Sequence, residues 1–490
     1  MYKLPDNIQS SRNFRYFPKG GTELSTNKEQ FKRILIFFTS LILISLFAVL
    51  FARMWYREYN SDMLDPFWQK GNILLIIIYV FTYVLTTRSM SGFKVTYLKP
   101  LTLFGSQVLG IVCTNIGAFV VISLIGRGRL SAKPIVYLTL IEIAAAFVWS
   151  FLTSLMFKKI YPPRRMIIVY GNQNSTALIE KMSMRQDKYH ICASVSCDED
   201  IERIKEQILR YEAVIISDVP SAMRNKLLKF TLDKSIRVYI TPKLSDIIIR
   251  GSDDFNLFDT PLLLNRNEGL SFEQRLIKRT FDLVMSIVAL AVLSPFMLIA
   301  ALAVKLYDRG PVFYRQERLT INGKSFYVFK FRSMVVDAEK HGAQLAGKND
   351  ERITPVGKVL RKIRFDELPQ LLNIIKGDMS FVGPRPERPE FTHRYEKTMP
   401  EFKYRLKVKA GLTGYAQVMG KYNTTPYDKL KLDLMYIENQ SFILDLKIIL
   451  MTVKIVFVPD ATEGISGEQV ETRRESHPQR DETELDQILK

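Results

Sequence analysis

Long apolar runs alternate with charged stretches along the 490-residue chain. Four runs, at about 33–54, 72–87, 101–125 and 134–157, are apolar enough to cross a bilayer as helices. The second is short, but Asn72 to Thr87 contains no charge. Basic residues precede the first run (Lys28, Lys32, Arg33), separate the second from the third (Arg88, Lys94, Lys99) and follow the fourth (Lys158, Lys159, Arg164, Arg165). That bias predicts a four-helix transmembrane bundle over 33–160 with both ends on the cytoplasmic side. The loop with Arg127, Arg129 and Lys133 goes against the rule. Residues 1–32 hold no apolar run and are expected to be flexible. They are too long and too charged for a conventional signal peptide.

The periodicity changes after Arg164. MIIVYG (166–171), ICASVSC (191–197), AVIISD (213–218) and IRVYIT (236–241) read as buried parallel strands. NSTALIEKMSM (174–184) and AMRNKLLKFTLDK (222–234) read as helices between them. The expected result is a Rossmann-like α/β soluble domain over 161–268. Its first turn, Gly171-Asn172-Gln173-Asn174-Ser175, has one glycine where a dinucleotide site wants three. A structural or regulatory module is the better reading.

A fifth run, 281–307, is long enough to span, but Ser294-Pro295 sits in its middle and both flanks are basic. Lys278 and Arg279 precede it; Lys305, Arg309, Arg315 and Arg318 follow. Like flanks with a central proline predict a helix–break–helix that enters and leaves on one face, with a kinked span as the competing reading. In FILDLKIILMTVKIVFV (442–458), Lys447 and Lys454 share a helical face, which suits a helix in the headgroup plane; a core helix is the alternative. The charged tail, 459–490, is expected to be disordered.

A net charge of +19 would suit a nucleic-acid partner, but the basic residues lie beside apolar runs and no nucleic-acid motif is present. Anionic lipid headgroups and phosphate-bearing ligands account for it better. Cys113, Cys192 and Cys197 form no zinc, redox or disulfide pattern, and the four histidines are scattered.

The densest chemistry lies in RKIRFDELPQLLNIIKGDMSFVGPRP (361–386). Asp366 and Glu367 stand at the start of a short predicted helix that Gly377 ends, among Arg361, Lys362, Arg364, Lys376 and Arg385. By position alone Asp366 is either a helix cap or a reactive carboxylate beside a cationic anion site.

This segment, with KRTFDL (278–283), the Ser294-Pro295 step, GPVFYRQER (310–318), FKFRSM (329–334) and AGLTGYAQV (410–418), resembles the bacterial sugar transferases. These are monotopic polyprenyl-phosphate hexose-1-phosphate transferases, and the likeness covers roughly 273–458. Ala410 departs from the family, in which many members have proline there. The resemblance implies a mainly α, monotopic catalytic domain (269–458) with a re-entrant helix over 281–307, and the upstream segments are similar to the family's long form. It implies transfer of a hexose-1-phosphate, glucose or galactose, from a UDP-sugar to undecaprenyl phosphate with release of UMP. That is the first membrane step of exopolysaccharide, capsule or O-antigen synthesis.

By the same resemblance Asp366 is the nucleophile of an acyl-phosphate intermediate, and Glu367 binds a metal or handles a proton. Lys330, Arg332, Arg361 and Arg385 are candidate substrate-binding residues, with Gln316 and Glu317 weaker, and Asp378 fixes the loop after the helix. Magnesium, held by Asp366 and Glu367, is the expected cofactor, being a hard ion that takes carboxylate and phosphate oxygens. The expected partners are the UDP-sugar, undecaprenyl phosphate and membrane lipids, with a homodimer open and no nucleic acid. The expected location is the bacterial inner membrane, multi-pass, with the catalytic domain on the cytoplasmic face. Two other readings compete. A lipid-linked sugar flippase would want more polar residues inside the spans, and a membrane-tethered nucleotide sensor would want the glycine-rich turn.

Overall fold

The computed structural model describes residues 21–456 except 61–68, 127–129, parts of 172–186, 266–268, most of 337–349 and 421–423. Most of the expected flexible N-terminus, the tail from 459, Arg127, Arg129 and the turn positions 172–175 lie outside the described residues. The chain divides into two compact units, Met1–Lys243 and Leu244–Lys490.

In the first unit, α1 (Gly21–Met54), α2 (Gln69–Ser89), α3 (Pro100–Ile125) and α4 (Lys133–Ile160) match the four apolar runs. All four are long and apolar enough to cross a membrane. Leu43, Phe47, Tyr83, Leu103, Ile111 and Trp149 pack in one interior cluster. A polar cluster lies within the helices: Glu142 accepts from Tyr79 Oη at 2.6 Å and from Asn115 Nδ2 at 2.8 Å. Gln107 Oε1 accepts from Tyr83 Oη at 2.5 Å, and Asn72 Oδ1 from Trp55 Nε1 at 2.7 Å. The interior is therefore more polar than expected, and these side chains satisfy one another as a low-dielectric setting demands.

The α/β part follows with β1 (Arg164–Tyr170), β2 (Tyr189–Ser196), α5 (Ile201–Ile208), β3 (Ala213–Ser217), α6 (Ser221–Asp233) and β4 (Arg237–Ile240). Its strands form one parallel sheet in the order β2-β1-β3-β4. Register runs Met166 to Ala213 and Ala213 to Arg237. Ile167, Val169, Val214 and Ile216 face Ile204, Ile208 and Leu227 of α5 and α6. Met166, Ile168 and Ile215 face Met182 on the other side. Both faces are covered, which is why these strands are continuous apolar runs.

The second unit contains α7 (Leu244–Arg250), β5 (Asp253–Leu257), β6 (Thr260–Leu264), α8 (Phe272–Asp308), β7 (Phe313–Leu319), β8 (Ser325–Phe331), α9 (Pro355–Lys362), α10 (Leu371–Lys376), β9 (Ser380–Val382), α11 (Pro389–Thr398), β10 (Gly411–Thr413), α12 (Tyr415–Met419), α13 (Pro426–Glu438) and α14 (Phe442–Val456). Ile247 of α7 packs on Phe402, Leu430 and Leu434 within this unit. The 37-residue helix α8 opens on a capping box of Ser271 and Gln274 and is long and apolar enough to cross a membrane. Here one expectation needs correction: α8 remains helical through Pro295. Proline deprives the Ala291 carbonyl of its usual partner, and Ser294 Oγ donates to that oxygen at 3.0 Å. The Ser-Pro step therefore costs α8 one backbone bond without ending it.

β7 and β8 form an antiparallel hairpin, and β9 and β10 a short parallel pair. At Gly411 an added Cβ would lie 2.1 Å from Gly383 N, so this crossing requires glycine. Ala410, the departure from the family pattern, donates its N–H to Thr320 Oγ1 at 3.2 Å, a bond proline could not make.

Candidate active site

Asp366 and Glu367 sit on a 3₁₀ turn, Phe365–Gln370, that runs into α10. This corrects the expectation of a simple helix start. Arg364 before the turn adopts φ 54°, a left-handed conformation costly for a residue with a Cβ. No side-chain cap bond is made there, so Asp366 is not a helix cap. The turn is held from beneath by β8. Asn373, fully buried, donates to Tyr327 O at 2.8 Å and accepts from Phe329 N at 3.1 Å. The Phe331 ring stacks on Phe365 with centroids 6.5 Å apart. These contacts bring Lys330 beside the turn.

The two carboxylates have different surroundings. Glu367 Oε1 accepts from Arg385 Nη2 at 2.5 Å and from Lys330 Nζ at 3.3 Å, and Oε2 accepts from Arg385 Nη1 at 3.3 Å. Burial alone would push the Glu367 carboxyl up; Arg385 and Lys330 overcome it and hold the group well below the usual range. Asp366 is 8% exposed and has no side-chain hydrogen bond or ion pair among the described residues. Burial, and then the neighbouring Glu367 charge, push its carboxyl up, against the pull of Lys330, Arg361 and Arg385. One acid is thus fully paired, and the other is uncommitted within a cationic surround.

Of the expected substrate-binding residues, Lys330, Arg361 and Arg385 act electrostatically on Asp366, and the structure brings them together. Arg361 Nη1 is buried without a hydrogen-bond partner, a donor available to a ligand. Arg332 is the exception. It is buried and pairs with Asp308 at the end of α8, behind Gly310, where an added Cβ would strike the guanidinium. It braces α8 to the end of β8, and its Nε and Nη1, like Arg361 Nη1, are buried without a hydrogen-bond partner. Gln316 accepts from Arg318, and Asp378 pairs with Lys376 at 3.0 Å while its carbonyl accepts from Thr320 Oγ1 at 2.9 Å.

Two cations outside the expected substrate-binding set, Arg318 and Arg364, also act on the dyad. Arg318 donates to Pro386 O at 3.4 Å, and burial and Arg385 depress its guanidinium to about 10. Arg364 feels both Glu367 and Asp366. Arg318 stands opposite Phe326 in the hairpin, an inward position that alternation alone could have flagged. The loop carrying Arg385 is held from behind. Arg405 donates to Arg385 O at 3.1 Å and to Asp433 at 2.6 Å, and Lys429 donates to Glu387 at 3.2 Å.

Among the described residues no three His, Cys, Asp or Glu side chains converge on one point. Magnesium does not need three, since it binds through one or two carboxylates and takes the rest from water and phosphate. Asp366 fits that role with its uncommitted carboxylate. Glu367 would have to give up a bond to Arg385 or Lys330 to join it.

A family model described as bacterial sugar transferase matches residues 273–459, the stretch that carries this site. Among curated relatives, an Aeromonas hydrophila UDP-N-acetylgalactosamine-undecaprenyl-phosphate N-acetylgalactosaminephosphotransferase is 42% identical over 183 residues, 37% of this chain and 43% of that protein. A UDP-glucose:undecaprenyl-phosphate glucose-1-phosphate transferase of Xanthomonas campestris pv. campestris is 39% identical over 267 residues, 52% of this chain and 54% of its own length. The chain thus spans about half the length of these two relatives. The uncharacterized sugar transferase EpsL of Bacillus subtilis (strain 168) is 40% identical over 190 residues, which are 39% of this chain but 90% of that protein. On this match the chain belongs to the bacterial sugar transferase family.

Proposed function

We propose that this chain transfers a hexose-1-phosphate from a UDP-sugar to undecaprenyl phosphate, with Asp366 as nucleophile. The observation that carries the reading is the contrast within the dyad: Glu367 is locked to Arg385 and Lys330, while Asp366 is unpaired and surrounded by cations. An Asp366 oxygen attacks the β-phosphorus of the donor. The new O–P bond forms as the bond to the UMP phosphate oxygen breaks, and UMP leaves with that electron pair. A lipid phosphate oxygen then attacks the same phosphorus, the aspartyl bond breaks, and the carboxylate is restored. Dividing the transfer lets one cationic pocket serve two anionic substrates in turn. Lys330, Arg361 and Arg385 neutralise charge on the transferring phosphoryl group, and the planar fork of Arg385 suits two phosphate oxygens. When bound, magnesium would be held by Asp366 and would neutralise part of the diphosphate charge.

Glucose is the first donor to test, with galactose second; the Xanthomonas campestris pv. campestris relative is named for glucose. The four upstream helices read as a transmembrane bundle and the 164–240 sheet as a Rossmann-like domain. In this reading the catalytic unit lies on the cytoplasmic face of the inner membrane, where nucleotide sugars are made. The assay is a membrane fraction given radiolabelled UDP-glucose and undecaprenyl phosphate. The proposal requires labelled diphosphate lipid together with free UMP. Label that crosses the bilayer without UMP release would favour a transporter, and nucleotide binding without turnover would favour a sensor.

A further inference from the structure

The dyad is held in place by residues far outside its own motif. Three side chains near the start of α8, Lys278, Arg279 and Asp282, make specific bonds within the catalytic unit. Arg279 donates from Nη1 to Ile374 O at 2.6 Å and from Nη2 to Ile375 O at 2.8 Å. These carbonyls lie in the last turn of α10, where helix ends leave acceptors open. Asp282, 4% exposed, accepts from Ser380 Oγ at 2.7 Å and from Phe381 N at 3.0 Å. Ser380 and Val382 pair with β10, which leaves the Phe381 N–H on the outer edge of β9 for Asp282 to take. Lys278 pairs with the buried Asp445 of α14 at 2.5 Å and donates to Val382 O at 3.1 Å. Tyr436 Oη donates to Asp445 at 2.7 Å and lies 3.1 Å from Val382 O, which completes the knot.

The placement of these contacts gives them meaning. α10 continues directly from the turn that carries Asp366 and Glu367, and β9 leads directly into Gly383-Pro384-Arg385. About one turn of α8 therefore grips both the segment behind the carboxylates and the strand that aims the arginine. A basic flank that served only lipid headgroups would keep its cation at the interface. The Lys278 side chain is instead 15% exposed, with its ammonium held by protein oxygens.

We propose that Lys278, Arg279 and Asp282 are positioning residues that fix the Arg385 fork against the Asp366–Glu367 pair. The apolar helix α8 is then part of the active-site frame as well as a membrane element. This rests on the phosphosugar-transfer reading above. The test compares wild type, Arg279→Lys, Asp282→Ala and Asp282→Asn as full-length protein in one detergent, with UDP-glucose and undecaprenyl phosphate as probes. Arg279→Lys preserves the charge but replaces the planar fork that spans both carbonyls with a single ammonium on a shorter reach. Its kcat should fall about tenfold or more, as should that of Asp282→Ala, because small misplacements of reacting groups are costly. The KM for UDP-glucose should stay within about twofold, since no donor contact is removed. Asp282→Asn should restore most of the rate, because an amide can accept from Phe381 N and donate to Ser380 Oγ.

Wild-type kcat in Arg279→Lys, or equal damage from Asn and Ala at 282, would overturn the proposal. So would a raised KM with unchanged kcat. Should Asp282→Ala fail to fold, Arg279→Lys alone decides. If wild type makes no labelled lipid, the transfer reading fails and this inference falls with it; an active wild type with indifferent variants sinks this inference alone.

Discussion

Replacing Arg385 by methionine separates what this residue does for folding from what it does for chemistry. Arg385 makes two of the three side-chain bonds to Glu367, at 2.5 and 3.3 Å, and the Glu367 side chain is 12% exposed. In Arg385→Met that carboxylate keeps the Lys330 hydrogen bond, at 3.3 Å, and the more distant charge of Arg364. Breaking a fully buried ion pair from one side costs about 3–5 kcal/mol. The Arg385 side chain is 39% exposed and Lys330 remains, so solvent screening lowers the expected cost to about 1.5–2.5 kcal/mol. At about 2–4 °C per kcal/mol for a domain of this size, Tm should drop by roughly 3–10 °C. Adding Glu367→Gln removes the stranded charge and should recover at least half of that loss. Neither variant should transfer phosphosugar at a measurable rate, because the phosphate fork is gone from both. The assay is thermal unfolding of purified protein in one detergent at one scan rate, paired with the lipid-transfer assay. An Arg385→Met protein that melts with wild type, or a double variant no more stable than the single, would refute the ion-pair reasoning.

Three further outcomes are expected. The acid limb of kcat/KM should lie above the ordinary aspartate range near 3.9, because burial and Glu367 raise the Asp366 carboxyl and the ionised form is the nucleophile. Activity is then lost as pH falls through that raised value, and a limb below the ordinary range would contradict it. EDTA should abolish transfer and magnesium should restore it; full activity in metal-stripped protein would leave charge neutralisation to Lys330, Arg361 and Arg385. Both ends of α8 pack on the same catalytic unit, through Arg279 on Ile374 and Asp308 on Arg332, so cysteine labels near Ser271 and Asn322 should both react only from the cytoplasmic side, whereas opposite-side labelling would make α8 a fifth crossing.

Much of this architecture is legible in the chain, for physical reasons that also mark where legibility ends. Strands β1 to β4 can be read from MIIVYG, ICASVSC, AVIISD and IRVYIT because sheets covered on both faces need unbroken apolar runs, and their bounds shift by at most two residues. The helices α1 to α4 follow from length and apolarity alone. What local pattern cannot report is the identity of distant partners. Ile247 belongs with the second unit because of Phe402, Leu430 and Leu434, all far along the chain. Arg332 occupies a family motif position yet pairs with Asp308, since a motif position does not say which acid an arginine meets. Asp445 reads as a polar interruption in an apolar helix, and its burial against Lys278 emerges only when α8 and α14 meet. Pro295 is a visible break signal, but the bond from Ser294 to Ala291 lets the helix continue. The dyad was found as a pair; the full pairing of Glu367 and the lone state of Asp366 depend on Lys330 and Arg385 converging from two other segments.

The central claim is that Asp366 becomes covalently phosphorylated, and a trapping experiment addresses it most directly. Purified protein is incubated with UDP-glucose but no lipid acceptor, quenched, digested and examined by mass spectrometry, while released UMP is counted in parallel. The account predicts a hexose-phosphate adduct on the peptide containing Asp366 and a burst of up to one UMP per protein. The adduct should be cleaved by hydroxylamine and discharged by added undecaprenyl phosphate. Asp366→Asn, with its fold and membrane insertion intact, should show neither adduct nor burst. UMP release that occurs only with lipid present, with no adduct on Asp366, would contradict the covalent mechanism, as would near-normal turnover by the Asn variant.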